Sequence, residues 1–105
     1  EPGRKRRITR DPAALEARLD LHGLDQAKAR AELAEFVNRK WAEGERSVLV
    51  ITGKGVMGDG VLRKRTPEWR GEPGLREVVA GVSEAHAKHG GDGALYVALK
   101  RRPKR

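Results

Sequence analysis

Residues 18–22 (RLDLH) alternate, with Leu19 and Leu21 toward one side and Asp20 and His22 toward the other, the pattern of a half-buried strand. Gly23 breaks the run. Asp25 is placed to cap a helix starting at Gln26, because its carboxylate can accept from the free N–H groups of the first turn. Ala29, Leu33, Phe36, Val37 and Trp41 then recur at helical spacing, and Gly44 supplies a stop. Residues 47–52 (SVLVIT) form a continuous β-branched and aliphatic run, which predicts a strand buried on both faces. Glycines at 53, 55, 58 and 60 follow. Residues 61–69 (VLRKRTPEW) predict a second, short helix whose end Pro67 leaves open. Residues 76–83 (REVVAGVS) read as a third strand, the segment 86–93 (HAKHGGDG) as a turn, and residues 94–100 (ALYVALK) as a fourth strand. The order is β-α-β-α-β-β, an α/β chain in which alternation favours parallel pairing with right-handed crossovers, closed by a hairpin.

The 105 residues suit one domain. The expected organisation is a basic arm over 1–12, a folded domain over 13–101 and a basic tail over 102–105. No window approaches the ~18 consecutive apolar residues of a membrane span, and no apolar run follows the basic N-terminus as a secretory signal would. The absence of cysteine excludes a disulfide scaffold, a zinc finger, an iron–sulfur site and thiol catalysis. A cytoplasmic protein without membrane contact is the expectation.

The net charge is +8, and its placement says more than its size. Residues 1–10 carry +4 and residues 100–105 carry +5, leaving 13 basic and 14 acidic residues between 11 and 99. A nearly neutral body is thus flanked by two basic arms, which hold too little apolar surface to order themselves. Such arms suit a polyanion, since each Lys or Arg placed on a phosphate releases condensed counterions. The bland alternative is a pair of solubilising tails. A third cluster, Arg63, Lys64 and Arg65, lies inside the second helix.

In open α/β sheets, ligands bind just beyond the carboxyl ends of parallel strands. LDLHG (19–23) ends the first strand and TGKG (52–55) ends the second. If those strands are neighbours, their ends lie ~5 Å apart and Asp20, His22, Thr52 and Lys54 share one crevice. Gly53 and Gly55 would let backbone N–H groups approach a phosphate. Imidazole, with an ordinary pKa of ~6.5, can accept or donate a proton near neutrality. Lys54 could neutralise a phosphoryl oxygen, and Asp20 could orient the imidazole or help hold a divalent cation such as Mg2+. The competing reading makes His22 a strand-end residue that closes a turn.

Other motifs fall away. Residues 53–58 (GKGVMG) satisfy G-x-G-x-x-G, but no acidic residue ends a strand ~20 residues on, and Glu77 near that offset is expected to begin one. No nucleotide cofactor is therefore expected. Gly55 after Lys54 excludes a P-loop. His86 and His89, with Asp92 nearby, are too few ligands for a zinc site. Four aromatic residues in the whole chain argue against a base-stacking platform.

Taken together, LDLHG at 19–23, VITGKG at 50–55, GVLRKRTPEW at 60–69 and GGDGALYVALKR at 90–101 resemble the Smr (small MutS-related) domain, in its stand-alone bacterial form. The resemblance covers roughly residues 18–101. It implies a two-layer α+β sandwich similar to the C-terminal domain of bacterial translation initiation factor three. Two helices would lie on one face of a four-stranded mixed sheet of order 1-2-4-3. It also implies structure-dependent nicking of DNA or cleavage of RNA. The implicated positions are Asp20, His22 and Gly23, with Thr52, Gly53, Lys54 and Gly55. Many relatives begin the glycine loop with His where this chain has Thr52.

The sequence thus predicts an endonuclease that breaks a phosphodiester by hydrolysis or transesterification. His22, Asp20 and Lys54 would carry the chemistry. Gly23, Thr52, Gly53, Gly55, Arg63, Lys64 and Arg65 would hold DNA or RNA. The alternative is a non-catalytic module for branched DNA or structured, ribosomal RNA.

Overall fold

The computed structural model describes residues 17–53, 60–85 and 93–102. The N-terminal arm, Lys54, Gly55, and the group His86, His89 and Asp92 lie outside these described residues. Six elements follow in order: β1 (Arg18–Asp20), α1 (Gln26–Ala42), β2 (Ser47–Ile51), α2 (Gly60–Trp69), β3 (Val79–Glu84) and β4 (Ala94–Leu99).

The sheet order is β1-β2-β4-β3. β1 runs parallel to β2, and β4 runs antiparallel to both β2 and β3. The mixed sheet agrees with the order that the family resemblance implies. β1 and β2 make the one parallel pair among the described strands, and β3 and β4 form the closing hairpin that the sequence predicts. The reason is connection length. A parallel crossover needs a dozen or more residues, whereas β3 and β4 are joined by residues 85–93 alone.

Register divides the residues between two faces. Val48 and Val50 on β2, Val97 and Leu99 on β4 and Val79 on β3 are buried in one cluster with Ala29, Leu33, Phe36 and Val37 of α1 and Leu62 of α2. Both helices therefore cover one face of the sheet. The other face carries a smaller cluster of Leu49, Ala94 and Ala85, flanked by Ile51 and Tyr96. Burial on both sides of β2 accounts for its unbroken apolar run. Each fully buried Val or Leu stabilises the fold by about 1.5–3 kcal/mol before entropy is counted.

α1 begins and ends where the sequence indicates. The Asp25 carboxylate accepts from the Lys28 N–H at 2.8 Å. At the other end Gly44 adopts φ 93°, and its N–H bonds the Trp41 carbonyl at 3.0 Å. A side chain there would be strained, so glycine is what lets the chain leave the helix.

β3 starts later than the apolar pattern suggests. Residues 70–78 form turns in which the Leu75 carbonyl accepts from Val78 and Val79 at 3.0 and 2.8 Å. Glu77 does not begin a strand. Its carboxylate accepts from the Gly74 N–H at 2.8 Å, while Asn38 on α1 donates to the Gly74 carbonyl at 2.6 Å. Leu75 and Val78 are buried from within this turn, which is why the segment reads as strand.

The end of the chain is held as well. The Trp41 indole donates to the Lys100 carbonyl at 3.0 Å. Arg102 donates to the Ala42 carbonyl at 2.8 Å and stacks 5.7 Å from the Trp41 ring. Arg102, expected to begin a loose tail, is anchored on the end of α1.

Candidate functional site

β1 is short because its last partner on β2 is Ile51, facing Asp20. One further bond, from the Leu21 N–H to the Ile51 carbonyl at 2.7 Å, keeps the two chains together past the strand end. Leu21 is fully buried and acts as an anchor. Asp20 and His22, on either side of it, remain outside. The carboxyl ends of β1 and β2 are thus neighbours, as the crevice requires.

The turn after Leu21 brings His22 back toward Asp20. Asp20 Oδ1 accepts from the His22 backbone N–H at 3.0 Å, and the same oxygen lies 3.4 Å from His22 Nδ1. The imidazole therefore faces the carboxylate with one nitrogen and leaves Nε2 directed elsewhere. Both side chains are well exposed, at 65% for His22 and 58% for Asp20. Gly23 makes the turn possible with φ 85°. A Cβ added there would touch nothing within 4 Å, so backbone conformation and not crowding selects glycine.

Thr52 and Gly53 continue from β2, but not as phosphate donors. Thr52 is fully buried; its N–H bonds the Gly93 carbonyl at 2.8 Å, and its hydroxyl lies 3.2 Å from the Gly53 carbonyl and 3.4 Å from that of Gly93. The Gly53 N–H bonds the Gly93 carbonyl at 3.1 Å. These donors face the chain itself, which revises the expectation that they meet a ligand. They fasten the root of the glycine loop to the start of β4. Gly93 is the residue that sequence reasoning missed. Its role is a carbonyl presented from 41 positions away, and no local pattern marks it.

The basic cluster on α2 is divided. Arg63 pairs with Glu84 of β3 at 3.0 Å, and Arg65 pairs with Glu68 one turn on at 2.9 Å. Lys64, exposed between them, has no ion-pair partner among the described residues. An exposed pair such as Arg65–Glu68 is worth about 0–1 kcal/mol, so Arg65 could exchange its carboxylate for a phosphate.

Among the described residues, Asp20 supplies the one carboxylate at this strand end. Among the described residues no group of three or more His, Cys, Asp or Glu side chains could hold a metal ion. Those residues do not make a cation site. Nor is any described helix long and apolar enough to cross a membrane.

The Smr domain family model matches residues 19–100. Over 81 residues the chain is 31% identical to the ribosome rescue factor SmrB of Shewanella sp. (strain W3-18-1), which covers 77% of this chain but 43% of that protein. The chain thus spans less than half the length of this relative. Among solved structures, the Smr domain of Thermus thermophilus MutS2 superposes with a TM-score of 0.67 at 29% identity, over 80% of this chain and 98% of that one. YdaL, a stand-alone small MutS-related protein from Escherichia coli, gives 0.71 at 32% identity, over 81% of this chain and 65% of that one.

Proposed function

The chain belongs to the Smr domain family, and from that premise we propose that it binds nucleic acid and cleaves a phosphodiester bond at the joined ends of β1 and β2. The observation that carries this reading is the contact between Asp20 and His22 at an exposed strand end beside β2. A carboxylate facing Nδ1 orients the ring and leaves Nε2 for proton exchange. His22 is the general acid or base. Asp20 positions it.

Lys54 follows Gly53 by one residue and is assigned the phosphoryl oxygens, with the Gly55 N–H as a further donor. Lys64 meets the flanking backbone, with Arg63 and Arg65 joining if they release their glutamates. Gly23 holds the turn that presents His22.

RNA is the substrate that one imidazole serves best. The 2′-hydroxyl oxygen attacks phosphorus and its proton passes to a base. The bond to the 5′-oxygen breaks, and that oxygen takes a proton from an acid. His22 performs one of these transfers and solvent water the other, while a cation at the phosphoryl oxygens lowers the barrier to both. The likeness to a protein named as a ribosome rescue factor supports RNA as the partner.

A structured RNA carrying a single deoxyribose on the 5′ side of the mapped cut tests this route. Cleavage should stop at that linkage and continue at others. Undiminished cleavage there would overturn the 2′-hydroxyl route.

A second reading has its own support. His22 is 65% exposed, and a site open to water lacks the exclusion that strengthens electrostatic catalysis. On this reading the domain binds RNA without cutting it, and His22→Ala would leave both affinity and biological effect intact.

A further inference from the structure

Carboxylates divide the described cations unevenly. On α2, Arg63 and Arg65 are both paired. At the opposite pole of the sheet, Arg46, Lys100 and Arg101 are exposed and have no carboxylate partner among the described residues. Arg102 joins them and, among the described residues, engages the Trp41 ring and the Ala42 carbonyl, both neutral. The nearby acids are Glu43, which pairs with Lys40, and Glu45.

These cations come from distant stretches of chain and are gathered by the fold. The Leu99 N–H bonds the Arg46 carbonyl at 2.9 Å, which sets Arg46 beside the exit of β4. The Lys100 N–H bonds the Val78 carbonyl at 2.7 Å, and the Lys100 carbonyl is held by Trp41. With Arg102 latched to α1 one residue later, Arg101 is fixed on both sides. The backbone here is tied down while the charged ends of Arg46, Lys100 and Arg101 are free. Pre-placed cations lose less freedom on meeting an anion than cations on a loose tail.

We propose that Arg46, Lys100 and Arg101 form a second phosphate-backbone contact, separate from the Asp20–His22 end, so that a bound strand must reach both poles of the sheet. This rests on the nucleic-acid reading above and adds a length requirement to it. β2 runs from beside Arg46 to Ile51, the register partner of Asp20. At about 3.3 Å per residue the two poles lie roughly 17 Å apart. A strand stacked as in a duplex advances about 3.4 Å per phosphate, so about five phosphates separate the contacts. The far pole holds the strand; the near pole performs chemistry.

The test compares wild type with R46Q/K100Q/R101Q on a 20-nucleotide single-stranded RNA, with affinity measured from 50 to 300 mM salt. The triple variant should bind at least tenfold more weakly at low salt, with the slope of log affinity against log salt shallower by about 2, since each phosphate contact on a single strand contributes about 0.7. Cleavage within the saturated complex should match wild type. The single variants K100Q and R101Q should each show part of the loss, which guards against a folding defect in the triple variant, and equal melting curves complete that control. A steep slope in wild type that the variants leave unchanged would overturn the second contact while leaving the proposed function standing. A flat slope in wild type would overturn the nucleic-acid reading itself, and this proposal with it.

Discussion

His22 Nδ1 lies 3.4 Å from Asp20 Oδ1, and that same oxygen accepts the His22 backbone N–H at 3.0 Å. One carboxylate oxygen thus closes the turn and faces the ring. The two jobs are separable by substitution. Asn keeps an oxygen acceptor for the backbone bond and removes the charge.

Asp20→Asn should therefore preserve stability and RNA affinity while slowing cleavage by up to about fivefold, since an exposed pair of this kind is worth about 0–1 kcal/mol. Single-turnover rates set beside binding constants check it. An equal fall in affinity and rate would show that Asp20 shapes the binding surface and does not orient the imidazole.

Gly23→Ala meets open space and still should destabilise the domain. A left-handed φ of 85° costs an L-residue about 1–2 kcal/mol, whatever room its Cβ has. Urea unfolding should show that loss, and Gly23→Asn should recover part of it, because Asn tolerates this region better than Ala.

Thr66 presents the opposite case. Its hydroxyl is buried, the residue being 1% exposed, and has no hydrogen-bond partner among the described residues. An unsatisfied buried hydroxyl costs about 1–3 kcal/mol, and Val removes it while keeping the branched shape. Thr66→Val should raise stability by about 1 kcal/mol in chemical denaturation. A loss of similar size would mean that the hydroxyl finds a partner in solution, such as an ordered water.

The Glu77 turn gives a pH dependence. Its own backbone N–H and the N–H of Gly74 hold this carboxyl below the usual range. A lowered carboxyl contributes stability above its unfolded pKa of about 4.3 and loses that contribution as the pH falls through the folded value. The melting temperature of wild type should exceed that of Glu77→Gln at pH 7, and the gap should close under acid. A gap independent of pH would assign the effect to packing.

The parts of this fold legible in sequence are those set by local patterns. β1, α1, β2 and β4 follow from alternation, a helical stripe between Asp25 and Gly44, and two apolar runs. The Asp20–His22 contact is legible for the same reason: two residues across a strand end meet through a turn that Gly23 announces. What stayed hidden depends on distant partners. Thr52 reads as a crevice residue until Gly93 draws its N–H inward. Glu77 and Val78 look like strand until Asn38 pins the nearby Gly74 carbonyl. Arg102 looks like tail until Trp41, far back in the chain, gives it a surface.

The central claim is that the His22 imidazole transfers a proton at the scissile phosphodiester. Its most direct test is single-turnover cleavage of an end-labelled structured RNA by wild type and His22→Ala, with the affinity of each measured on the same RNA. The account predicts that His22→Ala binds as wild type does and cuts about 100- to 10,000-fold more slowly. Equal cutting rates at matched occupancy would contradict it.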